Sequence, residues 1–144
     1  GFVAVGGTDC IPGEGCESAA VWTSTDGTDW SRVPHDPEVF SGTSGIRRMT
    51  DVTVGGPGLV AVGYGVEEPG QTGLNGVVWA SEDGYEWSRV PIPGNGGIWL
   101  RSVTAGGPGL VAVGSNYWGG VVWTSIDGIN WDRATRRSSA QRVK

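Results

Sequence analysis

Three arginines and one tryptophan have side chains suited to bind an anionic or planar ligand. The arginines lie near the beginnings of two predicted strands: Arg47 and Arg48 at the first, and Arg101 at the second. Trp99 comes two residues before Arg101. An arginine can hold a carboxylate through two parallel N–H bonds, so the group predicts an anion site. The alternative is that these arginines pair with acidic residues such as Asp51, because the chain has 15 acidic and only 10 basic residues.

An aromatic pair is the second candidate for ligand binding. Tyr117 and Trp118 lie in the stretch SNYWGG between two predicted strands. Their rings can stack on a sugar ring, or they can cover the edge of a sheet instead. Together with the arginines and Trp99 they form the predicted ligand-binding set.

Cys10 and Cys16 are the only cysteines and lie in the loop-like stretch TDCIPGEGCES. A zinc site usually needs four Cys or His ligands, and the chain adds only His35. We therefore predict a disulfide and no metal or cofactor. Because disulfides persist in oxidising compartments, the pair also predicts an extracytoplasmic or secreted protein.

The elements that must position these side chains are repeated along the chain. Val3, Val60 and Val111 occupy equivalent positions spaced by 57 and 51 residues, which gives a unit of about fifty residues. The most similar phrases are VWTSTDGTDWSR from Val21, VWASEDGYEWSR from Val78 and VWTSIDGINWDR from Val122, each preceded by FVAVGG from Phe2, LVAVGYG from Leu59 or LVAVGSN from Leu110.

The sequence of a complete unit predicts four short strands separated by Gly, Pro and Asp-Gly turn signals. The LVAVG strand is apolar on both faces, which is typical of a strand packed between two sheets. Short four-stranded units at this period indicate an all-β fold, a β-propeller of antiparallel blades. We place blade 1 at about 1–40 without its first strand, blade 2 at about 46–93, blade 3 at about 98–135 and a tail at 136–144.

The hairpin between the last two strands of each unit carries a defined turn pattern. Asp-Gly tolerates the positive φ of a tight turn, and a Ser two residues earlier can bond to the backbone of the turn. A Trp follows four residues after the Asp and adds buried area, so we expect these residues to be structural. The three copies are Ser24, Asp26, Gly27 and Trp30; Ser81, Asp83, Gly84 and Trp87; and Ser125, Asp127, Gly128 and Trp131.

These hairpins resemble the Asp-box, or bacterial neuraminidase repeat, whose usual pattern is Ser-x-Asp-x-Gly-x-Thr-Trp. Here Gly follows Asp directly and the pattern is one residue shorter, as in Ser24-x-Asp26-Gly27-x-x-Trp30. The resemblance implies a β-propeller with the box at the blade periphery, away from the central face. It therefore implies a fold and not an activity.

The resemblance to neuraminidase repeats makes glycoside hydrolysis an alternative function. A sialidase-like site would need an arginine cluster, a Tyr and Glu pair and an Asp in one pocket. Tyr64, Glu67, Glu68 and Asp51 are available, but their spacing does not pair them, and no Ser-His-Asp set or phosphate loop is present. We therefore expect a non-enzymatic binding or scaffolding propeller whose ligand is a protein or a glycan.

Charge and strand number bear on the partners. All fifteen acidic residues but only five of the ten basic ones lie at or before Asp132. This acidic body disfavours binding to nucleic acid, because phosphates are bound by Lys and Arg. No apolar run is long enough to cross a membrane. Three blades are too few for a closed ring, since propellers commonly have at least four. We expect two chains to join head to tail into a six-bladed ring, with the basic tail, Gln141 to Lys144, reaching the neighbour; the alternative is a piece of a longer propeller.

Overall fold

The computed structural model describes residues 1–10, 12, 17–41, 46–67 and 73–134. This part of the chain contains eleven strands and one short helix. The elements are β1 (Phe2–Gly7), β2 (Ala19–Ser24), β3 (Ser31–Arg32), α1 (Pro37–Phe40), β4 (Arg47–Gly55), β5 (Gly58–Gly65), β6 (Asn75–Ser81), β7 (Ser88–Val90), β8 (Trp99–Gly106), β9 (Gly109–Asn116), β10 (Gly119–Ser125) and β11 (Asp132–Arg133).

The strands form three antiparallel sheets, each made of consecutive strands. The first sheet has the order β1-β2-β3, the second β4-β5-β6-β7 and the third β8-β9-β10-β11. Strands β4 and β8 lie at the edges of their sheets, and the first sheet has no counterpart to them in the described residues. The prediction of an all-β chain built from short antiparallel units is therefore confirmed.

Two apolar cores join the sheets in the order first, second, third. Val21 of the first sheet packs with Ala61 and Trp79 of the second, and Val60 and Val78 of the second pack with residues of the third. Because side chains alternate along a strand, β5 buries successive residues on opposite faces. Val60, Ala61 and Val62 are all fully buried, as expected for a strand between two sheets.

Strand β9 differs from β5 because, among the residues that the structure describes, only one face of its sheet is covered by another sheet. Leu110 and Ala112 are buried against the second sheet, whereas Val113, on the opposite face, is 42% exposed. In the third sheet of an isolated chain, this strand is therefore buried on one face and partly exposed on the other.

The short helix α1 lies between the first and second sheets in the sequence and was not identified from the sequence. The side chain of Asp36 accepts a hydrogen bond from the backbone N–H of Glu38, and Pro37 opens the helix. Asp before Pro is a typical helix start, so the signal was present. No helix in the described part of the chain is long and apolar enough to cross a membrane.

Candidate binding site

The Asp-Gly turns share a set of hydrogen bonds in all three sheets, as the second sheet illustrates. The Oγ atom of Ser81 accepts a bond from the N–H of Gly84 at 2.8 Å. The Oδ1 atom of Asp83 accepts bonds from the N–H groups of Tyr85 and Glu86 at 2.8 and 2.9 Å. The Nε1–H of Trp87 donates to the carbonyl of Gly84 at 2.9 Å.

The glycine of each turn has a positive φ, 82°, 85° and 79° at Gly27, Gly84 and Gly128. Only glycine adopts this conformation without strain, which explains the Asp-Gly pair in every copy. The polar atoms of these residues are used within the turns, as a structural role requires.

Backbone hydrogen bonds lower the pKa of each turn aspartate. For Asp83 the largest cause is the bond from the backbone N–H of Glu86, followed by that from Tyr85. Equivalent bonds from Asp29 and Thr28 lower the pKa of Asp26, and the backbone and side chain of Asn130 lower that of Asp127. The turns therefore favour the ionised carboxylate.

Three of the predicted ligand-binding residues meet at one end of the third sheet. The rings of Trp99 and Tyr117 pack edge to face with their centroids 5.1 Å apart. Those of Tyr117 and Trp118 do the same at 6.4 Å. We call these three residues the aromatic group. Tyr117 is 77% and Trp118 is 88% exposed, so most of both rings is open to a ligand.

The backbone of the third sheet positions the aromatic group. Trp99 begins β8 and is in register with Ser115 of β9, next to the turn that carries the other two rings. In that turn the Oδ1 atom of Asn116 accepts a hydrogen bond from the N–H of Trp118 at 2.9 Å. A short side-chain bond of this kind is typical of a turn-forming Asn and fixes the backbone that carries Trp118.

A concavity adjoins the exposed tryptophan. Its volume is 870 Å³, and it is lined by Asn116, Trp118, Gly119, Gly120, Val121, Val122, Arg133 and Ala134. The lining combines an aromatic ring, aliphatic surface and a cationic side chain. This combination suits a ligand with both apolar and polar faces.

Arg47 lies in a different environment from the aromatic group. Its side chain is almost fully buried and donates to the carbonyl groups of Glu38 and Val39 in α1 at 2.7 and 3.2 Å. It also forms an ion pair with Glu67 at 3.4 Å, and Arg89 pairs with the same carboxylate. Burial lowers the pKa of Arg47. Its Nη1 and Nη2 groups hold α1 and Glu67.

Sequence reasoning did not identify Glu67 or Arg89 as the partners of Arg47. Arg47 and Arg89 lie in two different strands, 20 and 22 residues along the chain from Glu67, which lies in a loop. No local pattern connects them. They line a second concavity of 580 Å³ with Trp87 and residues of α1.

Arg48 and Arg101 are more accessible than Arg47. Arg48 lies 3.9 Å from Glu17, and its side chain runs beside Gly7 of the first sheet. Arg101 is exposed and occupies an irregularity in β8, where the register with β9 shifts between Leu100 and Ser102. Neither is shown in contact with the aromatic group, and their role in binding stays a prediction.

The predicted disulfide lies only partly, and the tail not at all, within the described residues. Cys10 is disulfide-bonded, whereas Cys16 lies outside the described residues, as does the tail at 136–144. Within the described ranges, no three His, Cys, Asp or Glu side chains are grouped so as to hold a metal ion.

Comparison of the chain with protein-family models, with curated proteins and with solved structures finds no match in any of the three.

Proposed function

We propose that this chain is a non-enzymatic β-propeller binding module that holds a glycan on the aromatic group formed by Trp99, Tyr117 and Trp118. The observation that carries the proposal is the exposure of Tyr117 and Trp118, 77% and 88%, in a turn that hydrogen bonds hold in shape. An exposed aromatic cluster of this kind costs solubility and is typical of a binding surface.

The propeller is supported by the repetition of one packing arrangement. Each of the second and third sheets presents a buried Trp from its third strand, Trp79 or Trp123, to the sheet before it. Each also carries a turn with the hydrogen bonds of the Asp-box pattern. Sheets that pack face to face by the same residues are expected to be arranged as successive blades about an axis.

A glycan fits the aromatic group better than an extended apolar ligand does. The C–H faces of a sugar ring stack on an aromatic ring, while its hydroxyl groups need polar partners. The concavity beside Trp118 provides Asn116 and Arg133 for those hydroxyl groups. Tyr and Trp also combine an apolar body with a polar tip, which suits a wet site.

The environments of two acidic residues support a binding role over glycoside hydrolysis. Glu67 is buried between Arg47 and Arg89, and Asp51 accepts hydrogen bonds from two backbone N–H groups. Both carboxylates thus have structural partners. Hydrolysis would need two carboxyl groups facing one sugar ring at about 5–10 Å from each other.

We also propose an extracytoplasmic location. The disulfide at Cys10 supports it, because such bonds persist in oxidising compartments.

A glycan array followed by titration calorimetry tests the binding role. We expect the wild-type chain to retain at least one glycan and the double variant Tyr117→Ala, Trp118→Ala to lose about tenfold in affinity, equivalent to about 1.4 kcal/mol. Tyr85→Ala is the matched control, since Tyr85 is an aromatic residue 58% exposed in a turn of the second sheet. A wild-type chain that retains no glycan, or a double variant that binds as well as the control, contradicts the proposal.

A further inference from the structure

The three sheets carry the same pair of valines, but only two of the pairs are covered. Val5 faces Val21 in the first sheet, Val62 faces Val78 in the second, and Val113 faces Val122 in the third. Val21, Val62 and Val78 are at most 1% exposed, whereas Val113 and Val122 are 42% and 38% exposed. The next sheet in the chain covers the first two pairs. The third pair lies on the open face of the third sheet.

The opposite face of each sheet carries tryptophans, and here the first sheet is the exception. Trp87 and Trp131 are 7% and 3% exposed because each packs in the core shared with the preceding sheet. Their equivalent Trp30 is 42% exposed, and Phe2, at the position of the buried Leu110, is 55% exposed. The open face of the first sheet thus carries the residues that the other two sheets bury.

The glycine of each Asp-Gly turn shows how the two kinds of face fit together. A Cβ built on Gly84 would lie 3.3 Å from Val3 of the first sheet, and one on Gly128 would lie 3.0 Å from Val60 of the second. Both glycines are buried by this contact. Gly27, their equivalent in the first sheet, is exposed and meets only the ring of Phe2.

We propose that the open face of the third sheet binds the open face of the first sheet in a second copy of this chain. Val111, the equivalent of Val3 and Val60, would then contact Gly27 of the second copy, and Val113 and Val122 would cover its Trp22 and Phe2. The inference goes beyond glycan binding. It shares Val122 with the concavity beside Trp118 but uses neither Tyr117 nor Trp118, so either proposal can fail without the other.

The internal contacts specify that each open face is covered by another sheet of this same repeat, which a second copy of the chain supplies. The two open faces are the two halves of an interface that the chain already forms twice within itself. Pairing third sheet with third sheet would place valines against valines and leave the turn glycines of the first sheet uncovered. Two copies joined head to tail satisfy both open faces of both chains, and the closed arrangement prevents further growth.

Light scattering on the purified chain and on two single variants tests the interface. We expect the wild-type chain to have twice the monomer mass of 15.0 kDa and Val113→Glu to have the monomer mass. Ile126→Glu is the matched control. Ile126 is 82% exposed in the same sheet, and its equivalent in the second sheet is the exposed Glu82, so a charge is tolerated beside a covered face. A wild-type chain of 15.0 kDa at its highest soluble concentration overturns the proposal.

Mixing two variants distinguishes head-to-tail pairing from pairing of identical faces. Phe2→Glu places a charge on the open face of the first sheet and leaves that of the third unchanged, and Val113→Glu does the reverse. We expect each variant alone to be monomeric by light scattering and an equimolar mixture to form a heterodimer, because one intact interface remains. A mixture that stays monomeric, or a Phe2→Glu variant that is dimeric alone, overturns the head-to-tail arrangement. Circular dichroism of both variants confirms that the strands are retained.

Discussion

The carboxylate of Asp51 in β4 accepts a hydrogen bond from the backbone N–H of Val103 in β8 at 2.9 Å. The same Oδ2 atom accepts a bond from the Ser102 hydroxyl at 3.0 Å. The hydroxyl of the adjacent Thr50 lies 2.9 Å from the carbonyl oxygen of Leu100, to which it donates. Polar bonds thus join the edge strands of the second and third sheets, in addition to the apolar core between them.

Asp51→Ala is expected to destabilise the chain by about 1–3 kcal/mol, because it leaves the N–H of Val103 without its acceptor. Val103 is 5% exposed, so water has little access to replace the carboxylate. Urea unfolding followed by tryptophan fluorescence measures the change. Asp132→Ala removes an exposed acidic residue of β11 and is expected to change stability by less than about 0.5 kcal/mol. Equal effects of the two variants would contradict the role of Asp51.

Ser81→Ala tests the hydrogen bonds of the Asp-Gly turn. The Ser81 side chain is buried, and its loss leaves the buried N–H of Gly84 unbonded. We expect a loss of about 1–3 kcal/mol in the free energy of unfolding. Ser88→Ala, at an exposed position in β7, is the control and should be nearly neutral. A neutral Ser81→Ala would show that the turn does not depend on this bond.

The stability of the chain is expected to fall on acidification. Asp26, Asp83 and Asp127 have folded pKa values below the ordinary value of 3.8, so the ionised carboxylates stabilise the folded state. Their contribution is complete above about pH 4 and is lost as the pH falls through the folded pKa values. Thermal unfolding by circular dichroism at a series of pH values measures the loss.

The triple variant Asp26→Asn, Asp83→Asn, Asp127→Asn is the comparison for this pH dependence. An amide oxygen still accepts the turn N–H bonds but does not titrate, so the melting temperature of the variant should fall less between about pH 4 and pH 2. Parallel curves for the wild type and the variant would show that other groups cause the acid sensitivity.

Arg47 and Arg48 are neighbours whose substitutions are expected to destabilise the chain by different amounts. Arg47→Ala leaves Glu67 with one buried partner fewer and removes two donors to α1, so we expect a loss of about 3–5 kcal/mol. Arg48→Ala breaks a partly exposed ion pair with Glu17 and should cost at most about 1 kcal/mol. Denaturant unfolding of both variants gives the comparison. An Arg48→Ala variant that is the less stable of the two would contradict the assignment.

Trp79 and Trp123 occupy equivalent positions but differ in one hydrogen bond. The Nε1–H of Trp79 donates to the carbonyl of Val39 in α1 at 2.8 Å, whereas that of Trp123 is buried without a partner among the described residues. Trp79→Phe should therefore destabilise the chain more than Trp123→Phe, by about 1 kcal/mol. Thermal unfolding of the two variants checks the order, and the reverse order would contradict it.

The turns and strands could be predicted because they depend on neighbouring residues. Asp83-Gly84 identifies a tight turn from two letters, and the alternation in β5 follows from the period of a strand. The contacts within the predicted ligand-binding set could not be predicted from the sequence. Tyr117 and Trp118 are adjacent in the sequence, but their contact with Trp99 depends on the register of β8 with β9. The sequence makes Arg47 a ligand-binding candidate, and only its burial beside Glu67 shows that its partners are structural.

The sequence by itself determined the repeat, the all-β class and the chemistry of each Asp-Gly turn, because these follow from side chains and backbone within a few residues. The tertiary structure decided which faces are covered and which charges meet. Val62 and Val113 have the same neighbours in sequence, yet one is buried and the other is 42% exposed. The reason is that burial depends on whether another sheet packs on that face. The residues next to Val113 in the sequence do not determine this.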